Sequence, residues 1–183
     1  MKHALSCALG VIASGMITLA PNLAYADAVG PYYATPSWDQ TLPSSTRFIA
    51  LSNMNSDAVL DRETGLVWEK SPSTTTVTWV NAQAHCNFLR TGGRVGWRLP
   101  TVQELASLVD PSIAFPGPTL PAGHPFTNVQ SSDYWSATTQ SQDTTSAWVV
   151  EFQFGGPASG SAFAKSGRIF AWCVRGGQGS DPQ

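Results

Sequence analysis

The stretch Gly96-Trp97-Arg98-Leu99-Pro100-Thr101-Val102-Gln103-Glu104-Leu105 passes from extended chain to helix across a single proline. A proline ring pushes the residue before it out of the helical region, so Trp97-Arg98-Leu99 predicts a short strand. Thr101 then stands three positions ahead of Glu104. The threonine hydroxyl can accept from the backbone N–H of Glu104 while the glutamate reaches back to the N–H of Thr101, a reciprocal cap that starts a helix. Leu105, Leu108 and Val109 continue it, and Asp110-Pro111 stops it.

Upstream, Ala58-Val59-Leu60-Asp61 and Leu66-Val67-Trp68-Glu69 predict two strands joined by Arg62-Glu63-Thr64-Gly65, where Gly65 can take a positive φ. Arg47 to Leu51 can form a further strand. A longer helix is expected from Trp79 to Arg90, capped by Thr78 and ended by Gly92-Gly93. Trp79, Ala82, Cys86 and Leu89 recur on one face of it at helical spacing. Downstream, residues 111–133 carry five prolines and two glycines and predict a long loop, a feature that in compact domains is functional or disordered. Three strands are expected after it. Tyr134-Trp135-Ser136-Ala137-Thr138 is the first. Ala147 to Phe154 is the second, with Trp148, Val150, Phe152 and Phe154 on one face. Ile169 to Arg175 is the third, with Ile169, Ala171 and Cys173 on one side and Trp172 and Val174 on the other. The class is α+β: two short helices packed on a twisted antiparallel sheet, with a long loop region.

The N-terminus bears on compartment. Met1-Lys2 is followed by an apolar run from Ala4 to Ala20, Pro21 breaks it, and Ala24-Tyr25-Ala26 has the small-x-small form of a signal-peptidase site. Residues 1–26 are therefore expected to be a signal peptide, 27–46 an extended lead-in rich in Pro, Ser and Thr, 47–176 the domain, and 177–183 a disordered tail. The run is marginal against the roughly 20 apolar residues a membrane span needs. Export, to the periplasm or beyond the cell, leaves Cys86 and Cys173 as an even pair in an oxidising compartment, expected to bond and to staple the first long helix to the last strand. Such a closure is worth roughly 4–5 kcal/mol in the chain-entropy model. No His or Cys stands at zinc-ligand spacing from either cysteine, so no metal and no cofactor is expected. Without the leader, acidic residues outnumber basic ones by about three, from 12 and 10 in the whole chain. That balance argues against nucleic acid, whose phosphates need clustered Lys and Arg. Few charges with much Gly, Pro, Ser, Thr and Trp suit a loop-rich extracellular domain.

Several patches resemble the C-terminal domain of the Legionella collagen-like adhesin and its bacterial relatives. They are Asp61-Arg62-Glu63-Thr64-Gly65-Leu66-Val67-Trp68, then Ala84-His85-Cys86, the Gly96 to Leu105 stretch, Tyr134-Trp135-Ser136-Ala137-Thr138, and Cys173-Val174-Arg175. They occur in the family's order across roughly residues 58–176. The resemblance implies a C-type-lectin-like fold related to that of the formylglycine-generating enzyme, in which a disulfide commonly ties the first helix to the last strand. It also implies an adhesin-like role, since the name-giving member binds sulfated glycosaminoglycans. This chain has no collagen-like repeat and is mildly acidic, so the expected partner is an extracellular glycan or other cell-surface polymer, with an envelope protein as the alternative.

Candidate contacts follow from residue chemistry. Asp110, His124, Asn128 and Asp133 lie in or bracket the long loop, and Trp135 follows it. Their polar groups, with an indole face that matches a pyranose face, make a candidate ligand set. Most tryptophans at strand spacing are core, so one of Trp68, Trp97, Trp135, Trp148 and Trp172 is expected to touch ligand. The loop lacks the Glu-Pro-Asn, Gln-Pro-Asp and Trp-Asn-Asp stretches of calcium-dependent lectins. Trp97, Arg98 and Glu104 are expected to be structural, with Arg98 held by carbonyls or a carboxylate; the functional alternative is an anion contact. Catalysis is not expected. Both mature cysteines are assigned to one staple, neither His85 nor His124 has a nucleophile at a known motif, and Ser136 lacks the Gly-x-Ser-x-Gly turn. An oxidoreductase of the formylglycine-generating kind would need two reactive thiols.

Overall fold

A computed structural model describes residues 42–154 and 161–177. The expected leader at 1–26, the lead-in up to residue 41 and the tail beyond residue 177 lie outside the described residues. No helix among the described residues is long and apolar enough to cross a membrane.

The fold is α+β with antiparallel sheets, few helices and one disulfide. A single helical turn, α1 (Ser44–Arg47), leads into β1 (Phe48–Ala50), which corrects the expectation of an extended lead-in up to residue 46. Strands β2 (Ala58–Asp61) and β3 (Val67–Glu69) form the expected hairpin, with Gly65 at φ 71° in its turn. Helix α2 (Trp79–Phe88), strand β4 (Trp97–Arg98) and helix α3 (Val102–Ala106) follow. Then come β5 (Asp133–Thr139), β6 (Ser146–Glu151), β7 (Ser161–Ala164) and β8 (Val174–Arg175).

Both helices are shorter than the sequence suggests. Leu89 is already extended, so α2 ends before Arg90, and Gly92-Gly93 belongs to a separate 3-10 turn. Thr78 sits at the cap of α2 without a capping hydrogen bond from its side chain. Helix α3 starts with the predicted capping box and tightens after Ala106, where Leu108 and Val109 donate to the carbonyls three residues back.

One sheet was expected and two are found. The five-stranded sheet runs β1-β2-β3-β8-β4, and the three-stranded sheet runs β5-β6-β7. Strand β7, in Ser-Ala-Phe-Ala, has no alternation to announce it and is an exposed edge. The inner strands of both sheets are largely buried on both faces, which is why simple alternation misleads. Val59, Trp68, Trp172, Val174, Tyr134, Val150 and Phe152 point into one core with Leu105, Leu108, Leu120 and Phe126. Ala58, Trp97, Trp135, Ala147, Val149, Ile169, Ala171 and Cys173 point into a second core with Ala82 and Cys86 of α2. Ile169, Ala171 and Cys173 share a side as predicted, while their neighbours fill the other core rather than facing water. The face expected on residues 147–154 is corrected: Phe154 is exposed, Trp148 is only partly covered, and Val149 is as buried as Val150.

Cys86 and Cys173 are bonded, 87 positions apart in sequence and with 5.4 Å between their Cα atoms. The bond lies inside the second core and ties α2 to the segment entering β8.

Candidate functional site

The long loop docks on the body at two separate places, and this divides the residues named from sequence. Its first half lies along the end of β6: Thr119 donates to the Phe152 carbonyl at 2.9 Å, and the exposed rings of Phe115 and Phe154 stack at 5.2 Å. Asp110 belongs here. Its carboxylate accepts from both the backbone and hydroxyl of Ser112, which holds its pKa below the usual value. Asp133 opens β5 opposite Glu151, and burial together with that like charge raises its pKa. His124 sits in the middle of the loop, its ring 5.8 Å from Phe126. Its Nδ1 is buried without a partner, and burial lowers its pKa.

Trp135 leaves the candidate set. Its indole is fully buried in the second core and donates to the Val77 carbonyl at 2.9 Å. Trp68, Trp97 and Trp172 are core as well, and among the described residues the exposed aromatic rings are those of Phe88, Phe115, Phe154 and Phe163. The expected tryptophan contact is therefore not available from these four, whose side chains enter the two cores on either face of the strands, and of the five Trp148 alone is partly uncovered.

The second half of the loop forms a cleft with the end of β3. Thr127 donates to the Lys70 carbonyl at 2.9 Å, and Asn128, at φ 58°, donates from Nδ2 to Ser71 Oγ at 2.8 Å. Lys70 in turn donates its N–H to the Asp57 carbonyl at 3.0 Å. Ser56, Asp57, Glu69, Lys70, Ser71, Thr91 and Thr127 line a cavity of about 340 Å³. Of Asp110, His124, Asn128, Asp133 and Trp135, it is Asn128 that hydrogen-bonds to this lining, through Ser71.

Glu69 is the most buried residue of the lining. Trp68 turns into the first core, so its strand neighbour Glu69 faces the opposite way, toward α2. Only 8% of it is exposed, and Oε2 has no hydrogen-bond partner. Burial pushes its carboxyl up to about 7, opposed in part by hydrogen bonding with the Cys173 backbone. A nitrogen of His85 and the sulfur of Cys173 lie with a Glu69 oxygen inside a sphere of ligand atoms all within 4.8 Å of one another. Nε2 of His85 is also buried without a partner. With its sulfur in a disulfide, Cys173 is a poor ligand, so two good donors remain. Sequence spacing missed this cluster because Glu69 reaches it from a different element; the usable sign was a carboxylate next to a buried tryptophan on a central strand.

The structural trio is where expected. Trp97 is buried, and Arg98 makes two 2.7 Å hydrogen bonds to Glu104 and others to the carbonyls of Leu99 and Gly176.

A comparison with curated proteins found no match. Residues 57–175, well over half of the chain, match the family model of the Lcl C-terminal domain. That span runs from the first residues of the cleft to β8 and includes both cysteines, the hairpin, the capping box and the long loop, and the chain belongs to the Lcl C-terminal domain family.

Proposed function

We propose that this chain is an exported binding module, adhesin-like and without catalysis, that takes a glycan or other polyhydroxylated cell-surface polymer in the cleft between β3 and the long loop. The observation that carries the reading is the lining: four hydroxyl-bearing residues, two acids and one lysine border one cavity of about 340 Å³. Hydroxyls both donate and accept, which suits the alternating donors and acceptors of a sugar. Family membership supports an adhesin-associated role. A C-type-lectin-like fold is consistent with a disulfide tying a helix to the last strand and with a long loop beside the sheet.

The test is binding to a glycan array that includes sulfated glycosaminoglycans, with calcium and with chelator, at low and moderate salt. Salt dependence separates charge from hydrogen bonding, and chelator identifies a metal requirement. Lys70→Ala and Thr127→Ala should each weaken a hit by about tenfold, the worth of a charged or well-aligned hydrogen bond. A blank array, or unchanged affinity in both folded variants, overturns the reading.

A second reading, a protein partner in the envelope, is favoured by the outer face of α2. Val80 and Phe88 are 64% and 76% exposed there, and such apolar exposure suits a protein interface. Val80→Ser with Phe88→Ser would abolish capture of an envelope partner while leaving glycan binding intact.

A further inference from the structure

We propose that Glu69, His85 and the two cysteines form a latent site for a borderline divalent metal ion such as Zn²⁺, closed while Cys86 and Cys173 are bonded and opened when a dithiol reduces them. This goes beyond the cleft's role in ligand binding and does not depend on it. The donor types are those of a tetrahedral thiolate–imidazole–carboxylate site. Ligand atoms of Glu69, His85 and Cys173 already lie within 4.8 Å of one another. Bond lengths of about 2.0–2.3 Å around tetrahedral zinc place ligand atoms roughly 3.3–3.8 Å apart, so side-chain movements of about an ångström bring these three onto one ion, and Cys86, bonded to Cys173 in the oxidised protein, supplies the fourth donor once released.

The second observation is independent of that proximity. Glu69 is more than nine-tenths buried, and its Oε2 meets no donor; His85 is partly buried, but its Nε2 is covered and has no partner. Buried polar atoms without partners are uncommon because each forfeits its hydration. A cation between these two would satisfy both. In the oxidised protein the sulfurs are spent on each other and carry no charge. Reduction transfers two electrons and two protons from the dithiol, breaks the S–S bond and yields two thiols, the dithiol becoming a cyclic disulfide. Zn²⁺ then displaces the two thiol protons, and that of Glu69 where it is held, to give two thiolates, an imidazole and a carboxylate around one ion. A hard ion such as Ca²⁺ does not fit, since it seeks oxygen alone.

Co²⁺, a coloured stand-in for Zn²⁺, makes the test direct. The full chain is titrated with Co²⁺ oxidised and after reduction by a dithiol that is then removed under anaerobic conditions, with far-ultraviolet dichroism recorded throughout. Expected are intense visible bands of tetrahedral cobalt and thiolate charge transfer in the reduced protein alone, and competition by Zn²⁺. If reduction loosens the fold, the metal should restore it, because binding and folding are coupled in such sites. Glu69→Gln and His85→Ala should each weaken reduced-state affinity about tenfold or more. Thiols of an unfolded chain would take cobalt without regard to Glu69. Equal affinity in Glu69→Gln, or no tetrahedral spectrum on reduction, overturns the proposal.

Discussion

Arg98 grips Glu104 through two hydrogen bonds of 2.7 Å, and the same carboxylate accepts at 2.9 Å from the backbone N–H of Thr101. One side chain therefore does two things: it closes the cap that starts α3, and it anchors the guanidinium that reaches the Gly176 carbonyl beyond β8. Glu104→Ala should lower unfolding free energy by about 2–3 kcal/mol, from a lost cap and a lost charged hydrogen bond. Arg98→Lys should recover little of an Arg98→Ala loss, because a point charge cannot reproduce the two-pronged contact. Urea denaturation measures both; full rescue by lysine would show that charge alone matters.

A second ion pair is more deeply set. Arg47 donates to Asp61 from Nε at 3.0 Å and Nη2 at 2.8 Å, and Asp61 is fully buried. Arg47 also pairs with Glu63 at 2.9 Å and donates to the Ser107 carbonyl at 2.8 Å, so it ties the hairpin to the end of α3. Asp61→Ala should cost about 3–5 kcal/mol, most of it the cost of a buried cation stripped of its partner. An Arg47→Met, Asp61→Leu double variant should regain much of that loss. A double variant no more stable than Asp61→Ala would mean that the hydrogen bonds to Glu63 and Ser107 dominate.

How far the chain could be read beforehand follows from where its information is local. The capping box of Thr101 and Glu104, the Gly65 turn and the Cys86–Cys173 bond each depend on near neighbours or on a count of two, and all three stand as expected. The side assignments of Ile169, Ala171 and Cys173 survive because period two is a property of the extended backbone itself. The division into two sheets was not legible, because β5, β6 and β8 are largely covered on both faces and their sequences therefore lack an apolar–polar contrast, while β7 is an exposed edge with no apolar face of its own. The candidate site was harder still. Trp135 enters the candidate set because it follows the loop and an indole face can match a pyranose face, yet it lies in the second core. Glu69 and His85 meet only through tertiary contact between β3 and α2, which no local pattern encodes.

Glu69 should make stability fall with rising pH. Its carboxyl titrates near 7 in the folded protein against an ordinary value of 4.5. Between those values the folded state keeps a proton that the unfolded state has released, so the contribution is whole below about pH 4.5 and is lost as pH rises through 7. The shift corresponds to about 3 kcal/mol, an order-of-magnitude figure. Asp57 and Lys70 in the cleft and His85 from α2 stand around it. Glu69→Gln, which cannot ionise, should flatten the profile and exceed the native protein in stability at pH 8 while matching it near pH 4. Parallel profiles for the two proteins across pH 4–8 would place the titrating group elsewhere.

The two docking points of the long loop can be separated by one substitution. Gly117 has φ 65°, and a Cβ there would press into the Phe152 carbonyl, the same oxygen that accepts from Thr119. Gly117→Ala should therefore lift the first half of the loop from β6 and disturb the Phe115–Phe154 stack. The cost should be about 2–4 kcal/mol, combining the left-handed conformation with the lost contacts. The second half is held by its own bonds, Thr127 to Lys70 and Asn128 to Ser71, and these should persist. If the cleft is where ligand binds, affinity in Gly117→Ala should stay within about twofold of native at a temperature where the variant is folded, since these sites share no partners. A fall as large as that of Lys70→Ala would mean that the loop moves as one body. Asp110, Asp133 and the two exposed phenylalanines would then rejoin Asn128 in a single, wider binding surface.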